Sequence, residues 1–298
     1  MRNWLPLFLV IWFAGCSDDT GDVNNANNAN NVNNVNNVNN VNNVNNVNNV
    51  NNVNNVSNAW VPPAGTTWQW QLSDYPVDTT VDVAVFDVDL FDTSDADLAT
   101  LRTAGRRIIC YFSAGSFEDW RDDAAAFDPA DIGQPLDGWA GENWLDVRSQ
   151  ALRTVLAARL DHAVTRGCDA VEPDNVDGYL NETGFDLTEA DQLAFNRWLA
   201  TEAHARGLSV GLKNCPEIAG LLEPDFDWAL SEECLAYEEC DAFAPFLAAD
   251  KAVFHVEYVD DTADGPARLA QVCADATRTG FSSLVKLWDL DAWRLACP

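Results

Sequence analysis

The residues of this chain that could do chemistry sit just behind its short apolar runs. Asp87 and Asp89 follow one run, Tyr111 and Ser113 another, and Glu172, Asp174 and Asn175 a third. Lys213-Asn214, Glu232-Glu233, Glu257-Tyr258, and Lys286 with Trp288 end four more. A crowd of carboxyls with one or two lysines suits paired-carboxylate chemistry. One carboxyl must hold a proton for a leaving oxygen, and the other must stay ionised to attack or stabilise an electron-poor carbon. Burial and neighbouring like charges push two such pKa values apart. Cleavage of a glycosidic bond needs that division of labour.

Other chemistries fit these residues less well. Acid clusters can hold Mg²⁺ or Ca²⁺, but no EF-hand spacing occurs. His162, His204 and His255 are scattered, the first two on expected outer helices, so no zinc site and no other metal is expected. No G-x-S-x-G elbow is present, and Ser113-Ala114-Gly115-Ser116 reads as a polar turn. Each candidate also has a plain structural reading. Asp174-Asn175 could cap a helix, Glu232 could be a solvated loop residue, and Lys213 could neutralise a buried carboxylate. Asp87 and Asp89 straddle Val88 and are expected to point to opposite faces, so at most one reaches the shared rim. The constellation carries the argument rather than any one member.

Positioning such a set requires a frame that delivers strand ends to one rim. From Trp68 onward, apolar runs alternate with helical patterns, as βα units of a parallel sheet do. The expected strands are 68–72, 83–86, 107–112, 170–172, 209–213, 228–231, 252–256 and 283–287. Eight strands close a (β/α)8 barrel, whose chemistry sits at the C-terminal strand ends. The spacing of Leu152, Val155, Leu156, Leu160, Ala163 and Val164 predicts a helix over 150–166, stopped by Gly167. Thr188, with Asp191 three residues on, predicts the start of another, which Gly207 ends after His204 and Arg206. A doubly wound sheet would carry a Gly-rich loop after its first strand, and Leu72-Ser73-Asp74-Tyr75 is not one.

The barrel is expected over 60–298, a length close to the usual ~250 residues. Before it, 1–16 reads as a short basic start, an apolar run and Ala14-Gly15-Cys16, which resembles a bacterial lipoprotein signal with Cys16 as the lipidated residue. The run is too short to span a bilayer as a mature helix. Residues 24–56 repeat Asn-Asn-Ala and then Asn-Asn-Val. A period of three fits neither a one-faced helix nor a one-faced strand, so 17–59 is read as a disordered linker. As a soft coil the repeat would span roughly 30 Å. The expected location is therefore extracytoplasmic, on a bacterial cell envelope or surface, with the membrane met only through the anchor.

Net charge is −30 at pH 7. Such a surface repels phosphate backbones and excludes nucleic acid as a partner, while it attracts cations. Twelve Trp residues supply faces on which sugar rings can stack, although a large barrel also buries indoles.

Several ordered motifs resemble glycoside hydrolase family 114. They are Cys110-Tyr111-Phe112-Ser113-Ala114-Gly115-Ser116, the stretch Gly141 to Arg148, and Gly167 to Tyr179 with Glu172-Pro173-Asp174-Asn175 at its centre. Gly211-Leu212-Lys213-Asn214, Phe226 to Cys234 and Val256-Glu257-Tyr258 continue the match, which covers about 66–290. The resemblance implies a barrel fold and an endo-α-1,4-polygalactosaminidase, acting without a cofactor on α-1,4-linked galactosamine that is partly N-acetylated. By the family pattern Asp174 is expected as nucleophile and Glu232 as general acid/base in a retaining reaction. Asp89, Tyr111, Asp146, Lys213, Asn214 and Glu257 are expected to bind substrate, from strand-end position together with the motif match. A deacetylated, cationic amino-sugar polymer agrees with the acidic surface. Two rival readings stay open: a binding lipoprotein that has kept the barrel without turnover, and a glycosidase of the same fold acting on another polysaccharide.

Eight cysteines in an exported chain point to disulfides. With Cys16 lipidated, an odd number remains. Cys234 with Cys240 and Cys273 with Cys297 are the expected pairs. Cys110 is read as a small buried apolar residue, and Cys168 and Cys215 are left unassigned.

Overall fold

The computed structural model describes residues 59–298. Cys16, the signal and most of the Asn-rich linker lie outside those residues. Eight parallel strands form the wall: β1 (Trp68–Gln71), β2 (Val85–Asp89), β3 (Arg107–Ser113), β7 (Ala170–Asp174), β8 (Ser209–Lys213), β9 (Trp228–Glu232), β10 (Val253–Val259) and β11 (Ser282–Leu287). They neighbour one another in that order, and β12 (Leu295–Ala296) adds antiparallel to β11. This is the (β/α)8 architecture. Among the described residues no ladder joins β1 to β11. That seam is bridged by Trp68 Nε1 donating to the Ser282 carbonyl at 2.8 Å, and by Leu72 N donating to the Leu290 carbonyl at 2.9 Å.

The helices follow α1 (Asp95–Thr103), α2 (Gln150–Arg166), α3 (Glu189–Ala205), α4 (Ala219–Leu222), α5 (Ala244–Ala248) and α6 (Gly265–Ala274). Ser149 caps α2 by accepting from Ala151 N and Leu152 N, and Gly167 ends it in the left-handed region at φ 75°. Thr188 and Asp191 form a reciprocal capping box at the start of α3. The expectation of a helix after every strand is corrected at two places. A loop alone joins β1 to β2, and a short antiparallel strand follows β11. Between β3 and α2 the chain inserts a small antiparallel sheet of β4 (Ser116–Glu118), β5 (Ile132–Pro135) and β6 (Glu142–Leu145), in the order β4-β6-β5.

Two large cores hold this frame, with a small third cluster of Val259, Val272 and Val285. Inside the barrel, Trp68, Trp70, Trp228, Leu230, Phe254 and Val256 pack together with Ile109 and Ala170. Small residues make room for the indoles: a Cβ on Gly211 would lie 2.3 Å from the Trp228 ring. Outside, the alternate residues of the strands meet the apolar stripes of the helices, with Phe86, Val88, Phe112, Val171 and Val210 against Leu156, Leu160, Phe195 and Leu199. Three disulfides add covalent ties: Cys234–Cys240, Cys273–Cys297 and Cys110–Cys168. The reading of Cys110 as a plain apolar residue is therefore corrected. Its side chain points outward from β3 to Cys168, which follows Gly167 at the end of α2. Cys215 remains a buried free thiol.

Candidate active site

Strand alternation decides which side chains enter the barrel. Asp87 and Asp89 are two apart on β2 and share a face, so the expectation that they point apart is corrected. Both are buried. On β7 the inward set ends with Glu172 and Asp174, on β8 with Lys213, and on β9 with Glu232. Each strand is then turned sharply away by a residue at positive φ: Asn175 at 59°, Asn214 at 50°, Glu233 at 56°. Gly115, at the end of β3, must be glycine because a Cβ there would lie 1.7 Å from the Asn175 carbonyl oxygen.

The centre of the constellation is one ammonium. Lys213 Nζ lies 3.0 Å from Glu172 Oε1, 3.2 Å from Asp174 Oδ1 and 3.2 Å from Glu232 Oε2. Its hydrocarbon stem is buried, and Nζ lies 4.8 Å from the Trp70 ring centre and 5.8 Å from that of Tyr111. Burial works against its charge. Asp174, Glu172 and Glu232 together outweigh that cost and hold its pKa well above the usual lysine value. Asp174 Oδ2 also accepts from Tyr111 Oη at 3.1 Å. Glu232 Oε2 accepts from Asn214 Nδ2 at 3.1 Å, while Asn214 Oδ1 accepts from Glu232 N at 2.9 Å. Glu232 Oε1 accepts from the Tyr258 hydroxyl, and the Tyr258 ring stacks on Trp288 at 4.2 Å. Asp174, Glu232, Tyr111, Lys213 and Asn214 are thus brought together.

Three expected site residues are not gathered there. Asp89 is at the mouth end of β2 but is sequestered. Arg121 Nη2 reaches its Oδ2 at 2.7 Å, and Phe91 N and Asp92 N donate to its Oδ1. Together with Arg159, which holds Asp123 and the Ser113 carbonyl, Arg121 pins the β4–β6 insertion to the wall. Asp146, past β6, is chelated by Arg148 at 2.8 and 2.9 Å, which holds its carboxyl below the ordinary range. Glu257 points the other way from Phe254, Val256 and Tyr258. It is buried outside the wall, accepting from His255 Nε2 at 2.9 Å, from Leu235 N at 2.9 Å and from Arg268 of α6. Lys286, also at a strand end, is wholly buried and donates to the carbonyls of Asp291 and Trp293. The inward residue of β10 at the rim is Tyr258. Period-two counting from the apolar Phe254 and Val256 would have selected it.

Behind Asp174 lies a further carboxyl. Glu142 of β6 accepts from Ser116 Oγ at 2.7 Å, Ser116 shares a 2.6 Å bond with Ser113, and Asn175 Nδ2 donates to Ser113 at 2.9 Å. Burial raises Glu142 to about 7. Burial also raises Glu172 and Glu233 to about 7 and Asp177 to about 6, and lifts Asp87 well above its ordinary value. A carboxyl with a raised folded pKa binds protons that the unfolded chain has already lost, so its contribution fades as pH rises towards the folded value. His162, pushed down by burial, acts in the opposite sense, and so does Lys286, lowered by burial to about 7, but Lys286 does so chiefly above this interval, and burial raises Asp92, Glu118 and Glu239 as well. Thermal stability should therefore fall between about pH 5 and pH 7. Melting temperatures that rise over this interval would contradict the protonation pattern.

An interior of eight strand ends, with two partly exposed carboxylates sharing one buried ammonium, gives the barrel a polar centre at the mouth where chemistry can be done. The family model of glycoside hydrolases GH114 matches residues 49–298, and the chain belongs to that family. It is a glycoside hydrolase. Among solved structures it is similar to Ega3 of Aspergillus fumigatus, solved in complex with galactosamine, at 42% identity and TM-score 0.76, covering 80% of this chain and 97% of that one. It shares its fold with the glycoside hydrolase domain of PelA from Pseudomonas aeruginosa, at 14% identity and TM-score 0.62, covering 78% and 99%. A search of curated protein sequences finds no match.

Proposed function

We propose that this chain is an endo-acting hydrolase of a polymer of α-1,4-linked galactosamine, partly N-acetylated, working through Asp174 and Glu232 with retention of configuration. The shared ammonium is the observation that carries the reading. Asp174 Oδ1 and Glu232 Oε2 each lie 3.2 Å from Lys213 Nζ, so these two oxygens are separated by at most twice that distance and both acids can face one sugar ring; the bound is on the two oxygens and not on the carboxyl groups as wholes. Carboxyl groups about 5–5.5 Å apart accompany retention, whereas inversion needs about 6.5–9.5 Å to admit a water between them. Asp174 is the nucleophile in this reading, held in line by Tyr111 and Lys213. Glu232 gives its proton to the leaving oxygen and later takes one from water. Its partner Tyr258 has a hydroxyl that can either donate or accept, so the bond can persist through both protonation states.

The substrate class is supported by the likeness to Ega3, which was solved with galactosamine, and by the net charge of −30. A deacetylated amino sugar is cationic, and long-range attraction would concentrate it at the mouth. Three disulfides among the described residues fit an oxidising, extracytoplasmic setting. Among those residues no helix is long and apolar enough to cross a membrane. Attachment through a lipid on Cys16, with 17–59 as the tether, completes the proposal.

The test is to incubate the purified protein with the partly deacetylated polymer and follow new reducing ends, chain length and the anomer first released. Internal cuts and an initial α-anomer are expected. A β-anomer would exclude retention. Activity confined to another glycan would overturn the substrate, and inertness towards every glycan would favour a binding protein.

A further inference from the structure

Below the carboxylate pair lies a second, wholly buried pair, Asp87 of β2 and Glu172 of β7. The strands flanking Asp87 present Trp70 of β1 and Ile109 of β3 in register. The charged groups facing it are Glu172 and Asp174 from β7 and Lys213 from β8. Glu172 Oε1 is taken by Lys213 Nζ at 3.0 Å. Glu172 Oε2 and both oxygens of Asp87 meet no donor, and the Trp70 indole N–H reaches none of them.

Two adjacent carboxylates cannot both stay charged in such a place, because the ammonium beside them, that of Lys213, is already divided three ways. One proton resolves the problem. A neutral carboxylic acid is a donor, and its neighbour supplies an acceptor that is otherwise orphaned. Glu172 is the partner that ionises first, since it alone of the two touches Lys213, and its charge is fully present above about pH 7. Burial and the charge of Glu172 favour the neutral form of Asp87, in agreement with the geometry.

We propose that Asp87 is a positioning residue that carries a proton at neutral pH, donates it in a hydrogen bond to Glu172, and through Glu172 fixes the Lys213 ammonium where it meets Asp174 and Glu232 together. The inference rests on Asp174 and Glu232 being the reacting pair. Lys213 has three N–H bonds and three carboxylate partners. Its aim is therefore set from below by Glu172, and the aim of Glu172 is set by Asp87. Asp87 is 0% exposed and passes no proton to substrate. Its ionisation would put a second negative charge beside Glu172 and draw the ammonium down, away from the mouth.

Two measurements on the full chain test this. The first needs no turnover. At about pH 8, above the range in which Glu142, Glu172 and Glu233 ionise, the infrared difference between wild type and Asp87→Asn should contain a protonated carboxylic-acid carbonyl band belonging to Asp87. Absence of that band overturns the proposal. The second is kinetic. Asp87→Ala should lower kcat by about tenfold to a hundredfold with KM little changed, because the pair is misaligned rather than lost. Asp87→Asn, whose amide can still donate to Glu172, should recover most of that loss and should move the alkaline limb of the kcat profile to higher pH. An Asn variant as slow as the Ala variant, with the wild-type limb, overturns the proposal. Should Asp87→Ala fail to fold, Asp87→Ser removes the same contact at smaller cost in packing. If wild type is inert on every glycan, the reading of the reacting pair fails, and the infrared band still decides the state of Asp87.

Discussion

Asp174→Asn should lower turnover by about 10³-fold or more on every substrate, with the melting temperature nearly unchanged. The carboxylate is on the rim, with its oxygens meeting Lys213 and Tyr111, and an amide of the same shape keeps one acceptor for them. Under the proposed mechanism, what is lost is the nucleophile. Glu232→Gln should cost as much on the natural polymer, for a different reason: its oxygen leaves as an alkoxide unless protonated. The two variants are therefore separable. A substrate whose leaving group needs no proton should restore the first step in Glu232→Gln and should not in Asp174→Asn. Full rate in either variant on the polymer would remove that residue from the mechanism. The opposite pattern of rescue would exchange their roles.

Lys213→Met should be the most damaging single change to the fold and the site together. The methionine matches the stem but removes the cation that three carboxylates share. Glu172, 0% exposed, would lose its counter-charge. Breaking a buried ion pair from one side costs about 3–5 kcal/mol. Protonation of Glu172 would relieve part of this, so the loss of stability should be smaller at pH 5 than at pH 8. Turnover should fall by about 10²-fold or more, because Asp174 and Glu232 then repel each other without an intervening charge. A variant as stable and active as wild type would mean that the ammonium is a bystander, and the reading of the site would lose its centre.

Local chemistry made part of this architecture legible from residues alone. Gly167, Thr188 and Asp191 are short-range signals whose partners lie within a few residues, and they bound the end of α2 and the start of α3 where expected. Asp174, Lys213 and Glu232 were legible because a parallel barrel sends every strand end to one rim. Face was harder to read than position. The seventh strand was expected to stop at Val256, which made Glu257 look like the first residue of the mouth. The strand runs on to Val259, and alternation hands the rim to Tyr258 while Glu257 turns to Arg268. Asp89 is held apart from the central cluster for another reason. Arg121, its partner, lies 32 residues away on the insertion, and nothing local announces the pairing. The insertion itself was invisible because strands of three or four residues carry too few alternations to be counted. Cys110 with Cys168, separated by 58 residues, depends on β3 and the end of α2 lying side by side, which only the assembled wall supplies.

The seam between β1 and β11 makes this ring unequal around its circumference. Every other junction between neighbouring wall strands is a ladder of backbone bonds, so breathing of the wall has its softest line where side chains and loop carbonyls do the joining. Asp174 is flanked by the ladders of β3 and β8, far from that line. Glu232 is coupled towards it, through the Tyr258 hydroxyl and the stacked indole of Trp288. Under the proposed mechanism, the compliant side of the molecule belongs to the carboxyl that would gain and lose a proton in each cycle, and the stiff side to the one that would hold still while a bond forms.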